Sequence, residues 1–341
     1  MPLRHGVTVK QIAVAMGLSQ PAVSQVLNGK GRISETTRKR VLETAERMGY
    51  RPNAAARAVV TRKTRQVGVL VLNNPKDPAT FPHTYFTILG MNMALEKADY
   101  VLCLVRIGDV EQSVEGHSRV FREHVLDGII ATTSLPEDVC ARIEQLVPTC
   151  IWADSNRWMK THCVRRDELA VGRTAARAAI EAGYKRIVFL TEELSAGGAQ
   201  HYSHVDRGRG IAAACGDAGV ELLTIRQRWN LTNEFCARLR TELRPDVAVL
   251  STDTIRARLV QQAAATFRLA IGEDFGLACC DLVADVNLTW PDLAGIPFDR
   301  MQLGRKSAEM MLSVLEEGDH APKSVELQSV WHAGATLPSR C

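Results

Sequence analysis

The sequence lacks any apolar run approaching the roughly 18 residues that a membrane-spanning helix requires. Its first residues, MPLRHGVTVKQ, also lack the apolar core of a signal peptide. These two absences predict a cytoplasmic protein with no membrane partner. The nine cysteines form no CxxC pair, and their odd number and scattered positions favour reduced thiols over a disulfide framework.

Several motifs that carry catalysis are also missing from the sequence. It contains no GxSxG, no HExxH, and no GxxxxGK followed by Ser or Thr. His201 and His204 form an HxxH pair, but no cysteine or carboxylate cluster accompanies them, so a closed metal site is not expected. The sequence therefore predicts a protein that is not an enzyme and that needs no metal or other cofactor.

The positive charge is concentrated at one end of the chain. The segment Met1–Gln66 holds 13 Lys and Arg residues against 3 Asp and Glu residues, a net charge of +10. The remaining residues hold 29 basic and 35 acidic side chains, a net charge of −6. A small cationic head on a large anionic body is typical of a nucleic-acid reader attached to a second functional unit.

The cationic head shows the signals of three short helices. Thr8, Ser19 and Ser34 are placed to cap them, and Gly17 and Gly49 to end the first and the third. The spacing of the apolar residues predicts a three-helix bundle that contains a helix-turn-helix. The predicted core residues are Ile12, Ala13, Met16, Val23, Val26, Leu27, Val41, Leu42, Ala45 and Met48.

The segment Asn53–Val60 reads NAAARAVV, in which asparagine is a good cap and the alanines favour a helix. It is much shorter than the roughly 12–15 residues at which an isolated helix is marginal. We therefore expect this segment to be disordered until another molecule folds it.

From Gln66 onward, short apolar runs alternate with amphipathic segments. This alternation predicts parallel sheets covered by helices, with too many strands for one sheet and therefore two similar lobes. Ligands in such folds bind at the carboxyl ends of the strands, here in the cleft between the lobes. The predicted strands lie at 67–72, 101–105, 128–132, 150–153, 186–190, 247–250 and 275–280, and the predicted helices near 85–98, 111–126, 168–182, 206–218, 254–268 and 301–317.

Segments from both parts of the chain resemble the lac-repressor-type (LacI/GalR) family of bacterial transcription regulators. They include TVKQIAVAMGLS, AVSQVLNGKGRISETTRKRV and AERMGYRPNAAARA in the head, and VLDGII, EAGYKRIVFL and LGRKSAEMMLSVLE in the body. The resemblance implies an α/β protein: an all-α helix-turn-helix head, a hinge helix, and a bilobed periplasmic-binding-protein-like core of two parallel-sheet lobes. The implied boundaries are 1–52 for the head, 53–65 for the hinge and linker, and 66–341 for the core, with lobes at about 66–158 plus 297–325 and about 160–292.

The resemblance also implies which residues contact DNA. Gln20, Pro21 and Gln25 match positions that read bases in the major groove, and Gln25 replaces the usual arginine, which favours adenine or a looser contact over guanine. Phosphate-contacting or capping positions match Thr8, Ser19, Ser24 and Asn28. In the hinge, Ala56, Arg57 and Val59 match the minor-groove segment, where valine would form a shallower wedge than the usual leucine.

The effector positions that the resemblance implies lie in the core. Arg207 matches an arginine that grips the effector, and Asp281 an aspartate that accepts hydrogen bonds from ligand hydroxyls. Trp229 matches an aromatic residue that stacks on a sugar or a base, and Asp253 lies where the family has an Asn–Asp pair. His83 and Tyr85 match the part of the other lobe that lines the cleft.

These features together predict a transcriptional regulator, usually a repressor. It would bind a near-palindromic double-stranded DNA operator as a homodimer, under the control of a small molecule that is a sugar or a related metabolite; a purine stays open as the ligand. The absence of a leucine-rich tail after Trp331 favours a dimer over a tetramer. The alternatives are a ligand-binding protein with a vestigial DNA-binding head and an enzyme built on the α/β body.

Overall fold

A computed structural model describes residues 6–29, 31–72, 80–107, 119–132, 134–193, 200–228, 230–283 and 292–340. The chain divides into two compact units, Met1–Thr64 and Arg65–Cys341. Among the described residues, no helix combines the length and apolar character needed to cross a membrane. The described cysteines are free thiols.

The first unit begins with three helices: α1 (Val9–Met16), α2 (Gln20–Leu27) and α3 (Glu35–Arg47). The three predicted capping residues each accept a hydrogen bond from the backbone at the start of a helix, as expected. Gly17 ends α1 at a φ of 62°, a conformation that few residues other than glycine adopt. Six of the predicted core residues form the buried centre: Ile12, Ala13, Val23, Val26, Val41 and Ala45.

Leu42 corrects the predicted core of the head, because its side chain is 48% exposed. Val41 and Ala45 lie four residues apart and share the inward face of α3, whereas Leu42 is rotated about 100° away from that face. The apolar stripe of α3 is therefore narrower than the sequence suggested.

A fourth helix, α4 (Ala54–Thr61), replaces the disorder that we expected after the bundle. The Asn53 side chain accepts a hydrogen bond from the backbone N–H of Ala56 at 3.3 Å, which caps the start of the helix. At the other end, the Thr61 hydroxyl donates to the carbonyl of Arg57 at 2.9 Å. The Asn53 cap thus favours a helix that length alone does not.

The second unit contains two parallel sheets. Its strands are β1 (Gln66–Leu72), β2 (Val101–Ile107), β3 (Gly128–Ala131), β4 (Cys150–Ala153), β5 (Cys163–Arg166), β6 (Arg186–Glu192), β7 (Glu221–Gln227), β8 (Val247–Ser251), β9 (Gly276–Val283), β10 (Ala294–Phe298) and β11 (Val325–Leu327). The first sheet has six strands in the order β11-β5-β4-β3-β1-β2, and the second has five in the order β10-β9-β8-β6-β7. Within both sheets the described strand pairs are parallel, from Gln66 opposite Val101 in the first to Arg186 opposite Glu221 in the second.

Helices cover both faces of each sheet, so each lobe has three layers. The helices are α5 (Thr80–Lys97), α6 (Arg119–Arg122), α7 (Glu137–Leu146), α8 (Glu168–Glu181), α9 (Tyr202–Ala218), α10 (Asn233–Glu242), α11 (Thr254–Phe267) and α12 (Arg300–Leu312), which continues as a π-helix over Ser313–Glu317. On the first sheet α5 and α12 pack on one face, with α6 and α7 on the other. On the second sheet α8 and α9 face α10 and α11 across the strands. Of the helix predicted near 111–126, residues 111–118 lie outside the described residues, and the described part is helical over Arg119–Arg122.

The chain passes between the lobes three times, after β5, after β10 and after β11. This moves the lobe boundaries that we predicted. The strand Cys163–Arg166 lies in the first sheet rather than beginning the second lobe, and Ala294–Phe298 lies in the second sheet rather than the first. After β11 the chain returns to the second lobe, where Leu277 N–H donates to the carbonyl of Thr336 at 2.8 Å.

Glycines allow the covering helices to approach very closely. A Cβ at Gly304 of α12 would overlap the carbonyl oxygen of Thr87 in α5, and a Cβ at Gly172 of α8 would overlap the carbonyl oxygen of Arg207 in α9. The same two helix pairs carry residues of the inter-lobe cavity, including Arg207 and Thr87. Close helix packing therefore fixes the position of cavity residues.

We predict that Gly304→Ala lowers the free energy of unfolding by about 1–3 kcal/mol, because the added methyl group must displace backbone. The control is Gly216→Ala in α9, where a Cβ meets nothing within 4 Å. That substitution should be neutral or stabilising by about 0.5–1 kcal/mol, since alanine favours a helix. Thermal and urea unfolding followed by circular dichroism measure both; equal effects of the two substitutions would contradict close packing at Gly304.

Candidate functional sites

The surface of α2 presents the three residues that we expect to read bases. Gln20 and Pro21 are exposed at the start of the helix, and Gln25 is exposed one turn further along. A Cβ at Gly31 would lie 2.6 Å from Oε1 of Gln25, so the glutamine side chain rests against the loop that follows the helix. Three exposed, uncharged side chains on one short helix fit readout by polar and apolar contacts rather than by charge.

The four residues assigned to backbone positioning lie at the ends of α1 and α2. The hydroxyls of Thr8 and Ser19 both accept N-terminal amide hydrogen bonds at 3.3 Å. Near the end of α2, Asn28 Nδ2 donates to the carbonyl of Ser24 at 2.8 Å. These side chains hold the helix ends in place, and contact with a phosphate stays a prediction for each of them.

The helix α4 exposes two large apolar side chains. Val59 is 82% exposed and the adjacent Val60 is 79% exposed, while Ala56 is also exposed and Arg57 is half-buried. Two adjacent valines in water at one end of a short helix gain little from folding alone. Such a surface suits insertion between bases, the role that we assigned to Val59.

A cavity of about 300 Å³ lies between the two lobes of the second unit. It opens where strands of both sheets end, as expected for this fold. The lining residues are Thr84, Thr87, Thr132, Ser134, Asp154, Glu192, His201, Ser203, His204, Arg207, Asp253, Ile255, Arg256, Asp281, Arg300 and Leu303. All but Ile255 and Leu303 carry a polar or charged side chain, so the cavity is suited to a ligand rich in hydrogen-bonding groups.

Three arginines and two carboxylates form one buried group beside the cavity, called here the arginine cluster: Arg166, Glu168, Arg207, Asp281 and Arg300. Glu168 lies at its centre. It accepts two hydrogen bonds from Arg166 at 2.9 Å each and two from Arg207 at 2.6 and 2.8 Å. Paired contacts of this kind are the strongest that a guanidinium makes with a carboxylate.

Asp281 joins the remaining arginines of the cluster. Nη2 of Arg300 donates to both of its oxygens at 2.9 and 2.8 Å, and Nη2 of Arg207 donates to Oδ2 at 3.2 Å. A further donor of Arg207 bonds the carbonyl of Thr252 at 2.6 Å. The donors of Arg207 are thus used within the protein, which differs from the direct grip on an effector that the resemblance implied.

The cluster links the two lobes. Arg166 ends β5 of the first lobe and donates to the carbonyl of Cys280 in the second at 3.2 Å. Arg300 begins α12 of the first lobe and pairs with Asp281 on β9 of the second. Any change in the angle between the lobes must therefore strain or rearrange these ion pairs.

Burial alone would raise the pKa of Glu168, but the charges of Arg166 and Arg207 outweigh that effect and hold the pKa below its ordinary value. Glu168 is 2% exposed and Arg166 is 0% exposed, so water does not screen their attraction. The carboxylate therefore stays ionised, and its removal would leave buried guanidinium groups without compensation.

A second charged group, called here the acidic wall, lines another part of the cavity: Glu192, Asp253 and Arg256. Asp253 caps α11 by accepting from the backbone N–H of Arg256 at 2.9 Å, and it also pairs with the Arg256 guanidinium. Nη2 of Arg256 lies 3.4 Å from Oε1 of Glu192. Two carboxylates against one guanidinium give this wall a net negative charge.

His204 lies between these two groups. Burial, followed by the charge of Arg207, lowers the pKa of His204 to about 3, so the imidazole is neutral at physiological pH. Its Nδ1 lies 3.5 Å from the hydroxyl of Thr252, and its Nε2 lies 3.8 Å from Glu192. A neutral imidazole at this place can accept or donate a hydrogen bond without adding charge to the cavity.

Direct hydrogen bonds also connect the two lobes beside the cavity. The hydroxyl of Tyr202 in the second lobe donates to Asp154 of the first at 2.7 Å, and the ring of His201 lies 2.9 Å from the carbonyl of Asp154. Nδ2 of Asn156 donates to the carbonyl of Gln200 at 3.0 Å. His201 is thus occupied in holding the lobes, and the described residues contain no cluster of His, Cys, Asp and Glu fit to bind a metal ion.

The predicted effector residues divide into three groups. Arg207, Asp253 and Asp281 line the cavity. Tyr85 is 55% exposed and lies outside the lining, whereas Thr84 and Thr87, which share the inward face of α5, lie in it. Trp229 lies outside the described residues, as does the side chain of His83.

Arg300, Glu168 and the acidic wall apart from Asp253 were not predicted from the sequence. Arg300 lies two residues after β10, at the start of a helix, so its position along the chain was the only available signal. Glu168 lies in the run RRDEL, which looks like an ordinary exposed helix start. Local sequence does not reveal these partners, because Asp281 lies 19 residues before Arg300 and Arg207 lies 39 residues after Glu168.

Comparison with known proteins identifies both parts of the chain. Residues 8–53 match the model of the lacI family of bacterial regulatory proteins, and residues 176–337 match a periplasmic binding protein-like domain. The chain is similar to the HTH-type transcriptional repressor PurR of Aliivibrio fischeri strain MJ11, with 24% identity over 94% of this chain and 95% of that protein. It is also 28% identical to the ribose operon repressor of Lactococcus lactis, over 55% of each chain, so that match spans about half of the relative.

Solved structures share the same architecture. The lac repressor dimer bound to operator and the anti-inducer ONPF has a TM-score of 0.81 at 19% identity, covering 98% of this chain and 99% of that one. The complex of the transcriptional regulator CelR with cellobiose has a TM-score of 0.65 at 20% identity, covering 97% and 99%. At these identities the likeness shows the fold.

A helix-turn-helix head joined to a two-lobed, periplasmic-binding-protein-like core defines a class of bacterial transcription regulators, and the predicted fold is confirmed. The chain therefore combines a lacI-family helix-turn-helix domain with a periplasmic-binding-protein-like domain. The expectation that it is not an enzyme is confirmed by these matches, since the matched relatives are transcriptional repressors and regulators.

We predict that Glu168→Gln lowers the free energy of unfolding by about 3–5 kcal/mol, since it leaves three buried guanidinium groups with Asp281 as their one carboxylate within the cluster. The matched control is Glu326→Gln, which removes the exposed partner of Arg165 and should cost less than about 1 kcal/mol. Urea unfolding of both variants and of the parent gives the comparison. A cost for Glu168→Gln no larger than that of the control would contradict the structural role of the cluster.

The low pKa of His204 predicts a pH dependence of stability. The unfolded chain protonates this histidine below about pH 6.5 and the folded chain does not, so the free energy of unfolding falls as the pH drops through that value toward 3. Between about pH 7 and about pH 5 this contribution is about 2 kcal/mol. In thermal unfolding scans His204→Asn should flatten the pH dependence, and the exposed control His320→Asn should not. An unchanged slope in His204→Asn would show that folding does not lower the pKa of this imidazole.

Proposed function

We propose that this protein represses transcription by binding a near-palindromic operator as a homodimer, under the control of a polyhydroxylated small molecule bound between the lobes. A sugar or a sugar derivative fits that description. The observation that carries the proposal is the polar cavity at the strand ends of both lobes, joined to a chain whose head matches a DNA-binding family.

The composition of the cavity favours hydroxyl groups over a flat base. A hydroxyl both donates and accepts, and the lining offers carboxylates, a neutral histidine, threonines and serines as partners. Trp229, the aromatic residue predicted to stack on a sugar or a base, lies outside the described residues, so the choice of hydroxyl groups rests on the polar lining. The names of relatives agree with this choice, since they include a ribose operon repressor and a regulator in complex with cellobiose.

The two lobes provide the means of control. A ligand in the cleft contacts residues of both lobes, including Thr87 and Asp154 on one side and Glu192 and Arg256 on the other. Binding therefore favours one angle between the lobes, and the ion pairs that bridge them must adjust to it. In regulators, coupling between two sites of this kind is typically about 1–3 kcal/mol.

The head provides the contact with DNA. A three-helix bundle with one reading helix touches few base pairs, so two copies related by a two-fold axis are needed for a specific site. The net charge of +10 in Met1–Gln66 favours binding to phosphates, and the exposed Val59 is placed on a helix that can enter the minor groove. These features support a palindromic operator read by a dimer.

Selection of duplexes from a random pool by the full-length protein should return an inverted repeat. The affinity for that duplex should fall steeply with salt, with a slope of about −0.9 per phosphate neutralised. Gln20→Ala should lose about 1–3 kcal/mol of preference for the selected over a scrambled duplex, while its salt-dependent binding to the scrambled duplex is kept.

Binding to the scrambled duplex serves as the internal control for folding of the head in this variant. Recovery of no inverted repeat, together with weak and salt-independent binding, would instead support a ligand-binding protein with a vestigial head. Fluorescence anisotropy over a range of salt concentrations gives both the affinity and the slope.

A further inference from the structure

Arg300 is a cationic residue of the cavity wall with unused hydrogen-bonding capacity. Its side chain lines the cavity and is 8% exposed. Nη2 is held by Asp281 through two hydrogen bonds, whereas Nη1 of Arg300, like Nη1 of Arg166, is buried and has no hydrogen-bond partner among the described residues. A buried charged donor without an acceptor is costly, and structures usually provide one.

The net charge of the arginine cluster also favours an additional anion beside Arg300. Its three guanidinium groups meet only two carboxylates, so one positive charge is not compensated within the cluster. Glu168 already accepts four hydrogen bonds from Arg166 and Arg207, and Asp281 is shared between Arg207 and Arg300. One further anion beside Arg300 would balance the group.

The opposite charge lies on another part of the same cavity. The acidic wall, with Glu192 and Asp253 against Arg256, is net negative, and Asp154 adds a carboxylate to the lining. Carboxylates accept hydrogen bonds from ligand hydroxyls but repel a second carboxylate. The cavity is therefore polarised, with an anion-seeking end at Arg300 and a hydroxyl-binding end at the acidic wall.

We propose that the effector is an anionic polyhydroxylated compound, whose carboxylate or phosphate group binds at Arg300 and whose hydroxyls face the acidic wall. This inference rests on the proposed function and narrows the class of ligand. Arg300 is then the residue that separates acidic sugars from neutral ones. Asp281, already neutralised by two arginines, positions Arg300 rather than binding ligand hydroxyls itself.

The test uses the full-length protein and compares probes that carry an anionic group with related probes that lack one. At fixed ionic strength, thermal shift and calorimetry compare a panel of neutral sugars with the corresponding aldonates, uronates and sugar phosphates. For each acid that binds, its uncharged amide is tested as well, for example D-gluconamide against D-gluconate. We expect at least one acid to bind tenfold or more tightly than its uncharged counterpart. Comparison of carboxylates with phosphates identifies which anion the site takes.

Two variants on the same helix complete the test. Arg300→Gln should weaken binding of the acid tenfold or more and abolish the preference for acid over amide, and Arg300→Lys should keep part of that preference. Arg305→Gln is the matched control, since Arg305 is exposed on α12 and lies outside the cavity lining. The comparison of acid with amide in the unaltered protein stands even where a variant folds poorly.

The outcomes separate this inference from the proposed function. Equal affinity for a neutral sugar and its acid, unchanged by Arg300→Gln, overturns the anion site and leaves a sugar-controlled regulator standing. Failure of every neutral and acidic probe to bind overturns the sugar-like effector, and the anion site with it.

Discussion

The buried arginine cluster is the interaction on which the rest of the core depends. Glu168 holds Arg166 and Arg207, and Asp281 holds Arg207 and Arg300, at the place where the chain passes from one lobe to the other. Ion pairs so deeply buried gain little net stability over a well-packed apolar core, yet each loses several kcal/mol when one partner is removed. The cluster therefore acts more as a constraint on geometry than as a source of stability.

That constraint explains the form of the cavity. Ion pairs with the carboxylates of the cluster hold the arginines in buried positions at the cavity wall. Close helix contacts at Gly172 and Gly304 fix the helices that carry them. Across the space, Asp253 caps α11 and orients Arg256. A polar ligand thus meets groups that are already ordered, which lowers the entropic cost of binding.

Different interactions determine the structure of the head and of the core. In the head, short-range signals decide the structure, since capping residues, Gly17 and the apolar spacing each act within a few residues. In the core, the chain crosses between the lobes three times, so neighbours in space come from distant parts of the sequence. The strands predicted at 150–153 and 247–250 agree with the structure, whereas β5, β7, β10 and β11 were not predicted from the sequence. Those four strands are short or interrupted by charged or glycine residues, and their pairing partners define them.

From the sequence alone came the cationic head, its three capped helices and the alternating core, because charge, capping and periodicity are properties of local sequence. The cavity residues Arg207, Asp253 and Asp281 came from the resemblance of sequence motifs to a regulator family. Only tertiary structure decided that Arg207 is engaged by the protein, that Tyr85 turns away while Thr84 and Thr87 face the cleft, and that Arg300 joins the wall. Burial and pairing decide what a charged side chain can do, and both arise from contacts between residues far apart along the chain.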